Sequence, residues 1–108
     1  TLQCPGQTLI PELGMKVICR RPNENVEGML VHLCGTPILR SRREGDSITL
    51  QGGTKTLKKL FIDKKIPAAD RNRIPVIVDD LGVAAVMGIG VDRDHMDAPN
   101  WEILFETL

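Results

Sequence analysis

The chain has 108 residues, of which 42% are apolar and 26% are charged, and its fourteen basic side chains balance fourteen acidic ones. This length predicts one domain over residues 1–108, since a single core rarely divides below about 250 residues, and the composition excludes a disordered chain. The three aromatic residues are too few for a protein that stacks single-stranded bases on exposed rings.

Three features bear on where the protein works. No basic segment followed by an apolar stretch marks a signal peptide, and no run of about 18 apolar residues predicts a membrane span. Cys4, Cys19 and Cys34 form no C-x-x-C pair, so we expect buried or free thiols rather than disulfides. The start at Thr1 indicates a fragment of a longer protein. We therefore predict a cytoplasmic protein with no membrane partner.

The first half of the chain has the signals of β-structure. The predicted strands are, in order, Leu9–Ile10, Lys16–Arg20, Met29–Leu33, Ile38–Arg43 and Ser47–Leu50. The first of these is expected at a sheet edge, because prolines flank it. The turn signal Glu44–Asp46 lies between the last two, so we expect them to pair as a hairpin.

One main amphipathic helix is predicted over Lys55–Lys64, with Thr54 as its N-cap. At 100° per residue the helix separates an apolar face, formed by Leu57, Leu60 and Phe61, from a basic face, formed by Lys55, Lys58, Lys59 and Lys65. Gly52 and Gly53 predict a flexible entry that would let an anion approach the free N–H groups of the first turn.

The last third of the chain predicts more strands than helix. Pro67–Arg73 is expected to form one or two helical turns with the proline at the first position. The predicted strands are Val76–Asp79, Val83–Gly88 and Trp101–Phe105, of which the first two are nearly all apolar and therefore central. With these strands, the fold class is α+β, built from mixed or antiparallel sheet layers and one main amphipathic helix.

The chain contains no common catalytic motif, so no catalytic residue is predicted. Asp92, Asp94 and Asp97, with His95 and Asp79–Asp80, could bind a divalent cation through oxygen ligands. Their spacing lacks the glycine and the terminal glutamate of a calcium loop, and a solvated acidic loop is the favoured interpretation.

A zinc site is the second metal candidate. His32 and Cys34 lie two residues apart on a predicted strand, where they would share a face. Closing the site requires Cys4 and Cys19 to converge on them, so a core histidine and buried thiols are favoured over a metal site.

Charge is divided unevenly along the chain. Residues 40–73 hold ten basic residues against four acidic ones, a net charge of plus six, and the remainder has a net charge of minus six. Such asymmetry indicates a face that binds a polyanion, although a solvated basic helix would give the same count. The candidate RNA-binding residues come from three segments and are Arg40, Arg42, Arg43, Lys55, Lys58, Lys59, Arg71 and Arg73.

Both arginine and lysine side chains bind phosphate oxygens well. The scarcity of aromatic residues favours an RNA duplex that is recognised by its shape and its 2′-hydroxyls. Some of these residues could be structural, since Arg40 or Arg71 could pair with Asp46 inside the fold.

Five short motifs follow one another along the chain. They are Leu39-Arg40-Ser41-Arg42-Arg43-x-Gly45-Asp46, Lys55-Thr56-Leu57-Lys58-Lys59-Leu60-Phe61, Ile66-Pro67, Arg71-x-x-Ile74-Pro75-Val76 and Val86-x-Gly88. Their order resembles the C-terminal domain of bacterial tRNA(Ile)-lysidine synthetase from Ile38 to about Asp92. The Lys-Thr-Leu-Lys-Lys-Leu-Phe block and its spacing to Arg-x-x-Ile-Pro are the specific part.

The resemblance implies a non-catalytic domain. The parent enzyme uses ATP with magnesium to adenylate the wobble cytidine of isoleucine tRNA and then joins free lysine to it. That chemistry lies in an N-terminal pyrophosphatase-type domain, so no cofactor is expected here. The implied partners are tRNA(Ile), docked chiefly by its acceptor stem, and the catalytic domain of the same chain. The implied fold is one also found in phenylalanyl-tRNA synthetase, of the B3/B4 type.

A second interpretation needs no RNA contact. In it the domain is a protein-interaction or dimerisation module, and the exposed helix face or the apolar segment Val83–Val91 meets another subunit, such as a second copy in a homodimer.

Overall fold

A computed structural model describes all 108 residues as ten antiparallel strands in three sheets. The strands are β1 (Gly6–Ile10), β2 (Met15–Arg20), β3 (Met29–Val31), β4 (Ile38–Arg40), β5 (Ser47–Leu50), β6 (Gly53–Thr56), β7 (Val76–Asp79), β8 (Gly82–Val86), β9 (Gly90–Val91) and β10 (Trp101–Thr107). The α-helix is α1 (Leu57–Asp63), and 3₁₀ turns cover Pro11–Leu13, Ala68–Arg73 and Arg93–His95. The expectation of antiparallel sheet layers with one main helix is confirmed.

The strand order defines the three sheets. Sheet A is β1-β2-β10-β3, sheet B is β4-β7-β8-β9, and sheet C is the β5-β6 hairpin. The predicted edge position of the first strand is confirmed, since β1 pairs only with β2. Two of the ten strands were not predicted. The residues of β6 were assigned to a turn and the helix, and β9 is only two residues long.

Two apolar clusters cover the two faces of sheet B. Alternate residues of a strand point to opposite faces. Ile77 and Ala84 therefore join a cluster shared with sheet A, while Val76 and Val86 join a second cluster under α1. The predicted central position of the two apolar strands is confirmed, because both of their faces are buried.

The helix begins later than predicted. Thr56, not Thr54, is the N-cap, and its hydroxyl oxygen accepts a hydrogen bond from the backbone N–H of Lys59 at 3.2 Å. Thr54 lies in β6 and pairs with Thr49, with the two hydroxyl oxygens 2.7 Å apart. β-branched threonines favour a strand, and the hairpin pairing extends that strand up to the cap.

The predicted apolar face of the helix is confirmed. Leu57, Leu60 and Phe61 are all buried. The helix ends where Lys65 adopts a left-handed conformation with φ 58°. The predicted helical turns after Pro67 form as a 3₁₀ turn over Ala68–Arg73.

The predicted hairpin between Ile38–Arg43 and Ser47–Leu50 is wrong. β4 pairs with β7, where Leu39 lies opposite Ile77, and β5 pairs with β6, where Ile48 lies opposite Lys55. Leu39 packs on the cluster shared with sheet A, whereas Ile48 lies in the cluster under α1. The turn between them is present, but the two strands belong to different sheets because their apolar residues pack in different clusters.

The solvated-loop interpretation of the acidic segment is wrong for two of its residues. Asp92 and His95 are buried, and His95 bridges two carboxylates. Its Nδ1 lies 2.9 Å from Asp92 Oδ2 and its Nε2 lies 3.0 Å from Asp79 Oδ1. The 3₁₀ turn brings them together, because Asp92 caps it by accepting a hydrogen bond from the Asp94 N–H.

Further hydrogen bonds connect this cluster to β5 and to the segment that follows β3. Asp79 in β7 accepts a hydrogen bond from the Cys34 N–H, and Asp92 accepts one from the Thr49 N–H in β5, both at 2.9 Å. The His95 carbonyl accepts a hydrogen bond from the N–H of His32, directly after β3. We call Asp79, Asp92 and His95 the buried charge cluster.

The predicted core histidine and buried thiols are only partly correct. His32 is half-buried, with Nδ1 2.9 Å from the Ala98 carbonyl oxygen, and the core histidine is His95. All three cysteines are free, and Cys19 is buried while Cys34 is exposed. Cys34 is exposed because it lies beyond the end of β3, whereas a longer strand was predicted.

The buried charge cluster favours an imidazolium. Burial alone would lower the pKa of His95, but hydrogen bonds to Asp79 and Asp92 outweigh it, and the pKa is raised from 6.5. Burial likewise opposes ionisation of Asp79, yet hydrogen bonds from His95 and from the Cys34 and Leu81 N–H groups lower its pKa. Both ring N–H groups therefore donate to carboxylates.

Replacing the histidine should destabilise the fold strongly. His95→Leu leaves Asp79 and Asp92 buried without a cation, and breaking a buried pair in this way costs about 3–5 kcal/mol. Chemical denaturation should show this loss. Asp94→Asn, on the exposed neighbour, should change the free energy of unfolding by less than about 0.5 kcal/mol. Equal losses in the two variants would contradict a structural role for the cluster.

The same cluster predicts a pH dependence of stability. Because the folded-state pKa of His95 is raised, its contribution is fully present below the ordinary value of 6.5 and is lost as the pH rises through the folded value. The free energy of unfolding of the native chain should therefore fall as the pH rises above about 6.5. In His95→Leu the pH dependence that comes from His95 should be absent. An identical dependence of stability on pH in both proteins would refute this contribution.

Candidate nucleic-acid interface

A bidentate ion pair organises the loop between β4 and β5. The Arg40 Nη1 donates to Asp46 Oδ2 at 2.7 Å and its Nη2 donates to Asp46 Oδ1 at 3.0 Å. The two side chains are only 17% and 12% exposed, so water screens this pair weakly. Asp46 Oδ2 also accepts a hydrogen bond from the Arg43 N–H at 2.7 Å, which closes the loop on itself.

Asp46 also joins the loop to the helix. Its carbonyl accepts a hydrogen bond from the Leu57 N–H at 2.9 Å, in the first turn of α1. The hydrogen bond from Arg40 lowers the pKa of Asp46 most, burial opposes this, and the Arg43 N–H lowers it further. The loop is therefore held against the helix by a carboxylate that stays ionised at neutral pH.

Between this loop and the helix lies a cleft of about 510 Å³ with no apolar lining residue. We call it the basic cleft. It is lined by Arg42, Arg43, Glu44, Gly45, Asp46, Thr56, Lys58 and Asn72. Three cationic side chains thus converge on one concavity, and Asp46 in its wall is already paired with Arg40.

Arg42 is held in place from two sides. Its Nε donates to the Asn72 side-chain oxygen at 3.2 Å, and its guanidinium lies 5.6 Å from the centre of the Phe61 ring. The ring is buried in the cluster under α1, so it gives the cation a fixed platform. The helix and the following 3₁₀ turn therefore position a residue of the loop.

Two of the eight predicted residues bond to groups within the fold and lie outside the lining of the basic cleft. Of the two proposed partners for Asp46, the structure selects Arg40, whose charged end faces inward. Arg71 instead donates from Nε to the Ile66 carbonyl at 2.9 Å, which braces the chain after the helix.

Three more predicted residues lie outside the lining of the basic cleft. Lys55 is on β6 rather than on the helix, and its Nζ lies 3.7 Å from Asp63 Oδ2 in an exposed pair. Lys59 and Arg73 are exposed. The structure thus brings together Arg42, Arg43 and Lys58 and leaves the other cations around them.

The predicted role of the helix N-terminus is also corrected. The Leu57 and Lys59 N–H groups, two of the four first-turn donors, already bond to Asp46 and Thr56. Gly53, with φ 111°, is the first residue of β6 and pairs with Leu50 directly after the hairpin turn at Gln51 and Gly52. Both glycines therefore belong to the hairpin and not to an entry to the helix.

Sequence reasoning missed Asn72 and Thr56. Asn72 contacts Arg42 across thirty positions of sequence, and no local pattern marks such a pair. Thr56 had a detectable signal, since it precedes an apolar-periodic segment as an N-cap does.

Two further findings concern the chain as a whole. No group of three or more His, Cys, Asp or Glu side chains is placed to hold a metal ion. No helix has the length and apolar character that crossing a membrane requires.

A family model described as "TilS substrate C-terminal domain" matches residues 38–105. The chain belongs to this family. It is 50% identical over 71 residues to a tRNA(Ile)-lysidine synthase of Clostridioides difficile, covering 65% of this chain and 15% of that protein. It is 33% identical over 99 residues to one of Exiguobacterium sibiricum, covering 81% of this chain and 24% of that protein. The chain thus spans less than a quarter of each relative.

A solved structure supports the same assignment over nearly the whole chain. The structure titled "Crystal structure of TILS C-terminal domain" superposes with a TM-score of 0.74 at 27% identity. The match covers 97% of this chain and 91% of that one. The resemblance inferred from the motifs between Ile38 and Asp92 is confirmed, and the structural likeness extends it to both ends.

Acid should weaken the loop through Asp46. Because its folded-state pKa is lowered, its contribution is present above the ordinary value of 3.8 and is lost as the pH falls through the folded value. The native chain should therefore lose more stability on acidification than Asp46→Asn, as measured by denaturation between about pH 6 and pH 3. Glu44→Gln, on the exposed neighbour in the loop, should keep the native slope. If the stability of Asp46→Asn fell with pH as steeply as that of the native chain, the ion pair between Arg40 and Asp46 would be contradicted.

Proposed function

We propose that this domain docks tRNA(Ile) for a tRNA(Ile)-lysidine synthase and has no catalytic centre of its own. The observation that supports this most directly is the convergence of Arg42, Arg43 and Lys58 on one polar cleft. Around it, residues 40–73 have a net charge of plus six in a chain that is neutral overall. A polyanion would be attracted to this face and repelled from the rest of the surface.

The aromatic residues favour recognition of a phosphate backbone over stacking on bases. Phe61 is fully buried, and the Trp101 ring is nearly buried and covered by the Arg21 guanidinium 4.0 Å from its centre. Phe105 is half-buried on the core. A duplex contacted through its phosphates fits this surface, and the acceptor stem is the duplex that we assign to it.

The remaining steps are assigned to the parent protein. We infer that ATP with magnesium and the lysine substrate bind the catalytic domain of the same polypeptide, because this chain spans only 15% and 24% of the two relatives described above. The parent is expected to work in the cytoplasm, where tRNA is modified. The mostly β architecture is compatible with the proposed kinship to the B3/B4-type domain of phenylalanyl-tRNA synthetase.

Protein interaction or homodimer formation is the second candidate. Ile62 is 48% exposed on the outward face of α1, which favours a contact there. The other proposed surface loses support, because Val83 to Val86 are buried within sheet B. Sedimentation of the chain with and without tRNA distinguishes the two functions: a dimer without tRNA supports interaction, and a monomer that sediments faster with tRNA supports docking.

Removing two helix lysines should weaken tRNA binding. Lys58→Ala with Lys59→Ala should lower the affinity for tRNA(Ile) and flatten the dependence of log K on log salt by about one unit for each phosphate that is no longer neutralised. The matched control is Lys16→Ala with Arg93→Ala, which removes the same charge outside the basic segment. Unchanged affinity and slope in a folded Lys58/Lys59 variant would refute the role of these lysines.

A further inference from the structure

We propose that the basic cleft is an anchoring subsite that holds one phosphate group of the RNA between Arg42, Arg43 and Lys58. The inference rests on the proposed function and assigns different roles to two groups of cations. The other cations of the basic segment attract the RNA, whereas the cleft binds one phosphate at a fixed place.

The polar side chains that line the cleft leave hydrogen-bond donors for a ligand. The Thr56 oxygen accepts from the Lys59 N–H, so its hydroxyl hydrogen is available to donate. The Asn72 side-chain oxygen accepts from Arg42, so its amide N–H₂ group is available too. With the cationic side chains, these groups present donors to a ligand whose oxygens only accept, as those of a phosphate do.

The charge balance of the lining also favours an anion. The Asp46 carboxylate is paired with Arg40, which stands outside the lining, so its charge is already compensated. Glu44 is the other acidic residue there, and it is exposed to solvent at the loop tip. Three cations thus face one uncompensated carboxylate.

The loop backbone and the Arg42 side chain are pre-organised. Arg40 and the Leu57 N–H fix the loop through Asp46, and Asn72 with the Phe61 ring fixes Arg42. Binding therefore orders fewer side chains than binding to free surface lysines would, and this lowers its entropic cost. An exposed lysine outside the cleft, such as Lys64, has no comparable surroundings.

Two RNA groups share this chemistry. An internal phosphodiester brings one negative charge, and a terminal 5′-phosphate brings up to two. A hairpin RNA prepared with a 5′-phosphate and with a 5′-hydroxyl distinguishes them. A loss of affinity on Lys58→Ala with both RNAs identifies an internal phosphodiester. A loss with the phosphorylated RNA alone identifies the terminal phosphate. Either result supports a single-phosphate cleft.

The test compares single substitutions of equal charge by fluorescence anisotropy with these two RNAs. Arg43→Ala and Lys58→Ala should each lower the affinity of at least one RNA about tenfold, as expected when a charge-assisted hydrogen bond is removed. Lys64→Ala should lower it about twofold or less, because it removes only a solvated charge. Glu44→Gln should raise the affinity about twofold, since it removes the uncompensated carboxylate from the lining.

The outcomes separate this inference from the proposed function. If Lys64→Ala costs as much as Lys58→Ala, or if Glu44→Gln weakens binding, the discrete cleft is refuted while RNA binding by the basic surface stands. If the native chain binds neither hairpin nor tRNA(Ile), the proposed function itself fails. Thermal unfolding of each variant establishes that it is folded before its affinity is compared.

Discussion

The bidentate pair between Arg40 and Asp46 is the constraint on which the basic surface depends. The pair neutralises one of the positive charges that make residues 40–73 resemble an RNA-binding face. In exchange it closes the loop after β4 and, through the Asp46 carbonyl, fixes that loop against α1. The two free loop cations then face Lys58 across one cleft. A structural arginine thus positions the cations available to a ligand.

The scaffold beneath this surface is held by a second set of charges. The buried charge cluster connects sheet B to β5 and to the segment after β3. A buried charge is tolerated only when it is paired and hydrogen-bonded, and Asp79, Asp92 and His95 meet that condition mutually. The acidic residues of the chain therefore have two roles. Some are exposed to solvent, and Asp79 and Asp92 link strands inside the fold.

The sequence predicted what local pattern determines. The apolar spacing of the helix predicted its buried face, and continuous apolar segments predicted the two central strands. It did not predict that the strands within Ile38–Arg43 and Ser47–Leu50 join different sheets. Which strands pair depends on how residues far apart in the sequence are buried together. Nor did it predict a buried His95, since an acidic segment is usually solvated. In the site, charge count identified the basic segment, but contacts with Asp46 and Asn72 decided which cations remain available.

The most direct test of the account is a titration of the ¹⁵N-labelled chain with tRNA(Ile), followed residue by residue through the backbone amides. If the basic cleft binds the RNA, chemical-shift changes should concentrate in Ser41–Asp46, Thr56–Lys59 and Arg71–Arg73, the three segments around the cleft. Changes centred instead near Glu27 and Glu106, outside the basic segment, or no change in these three segments at saturating tRNA, would contradict it.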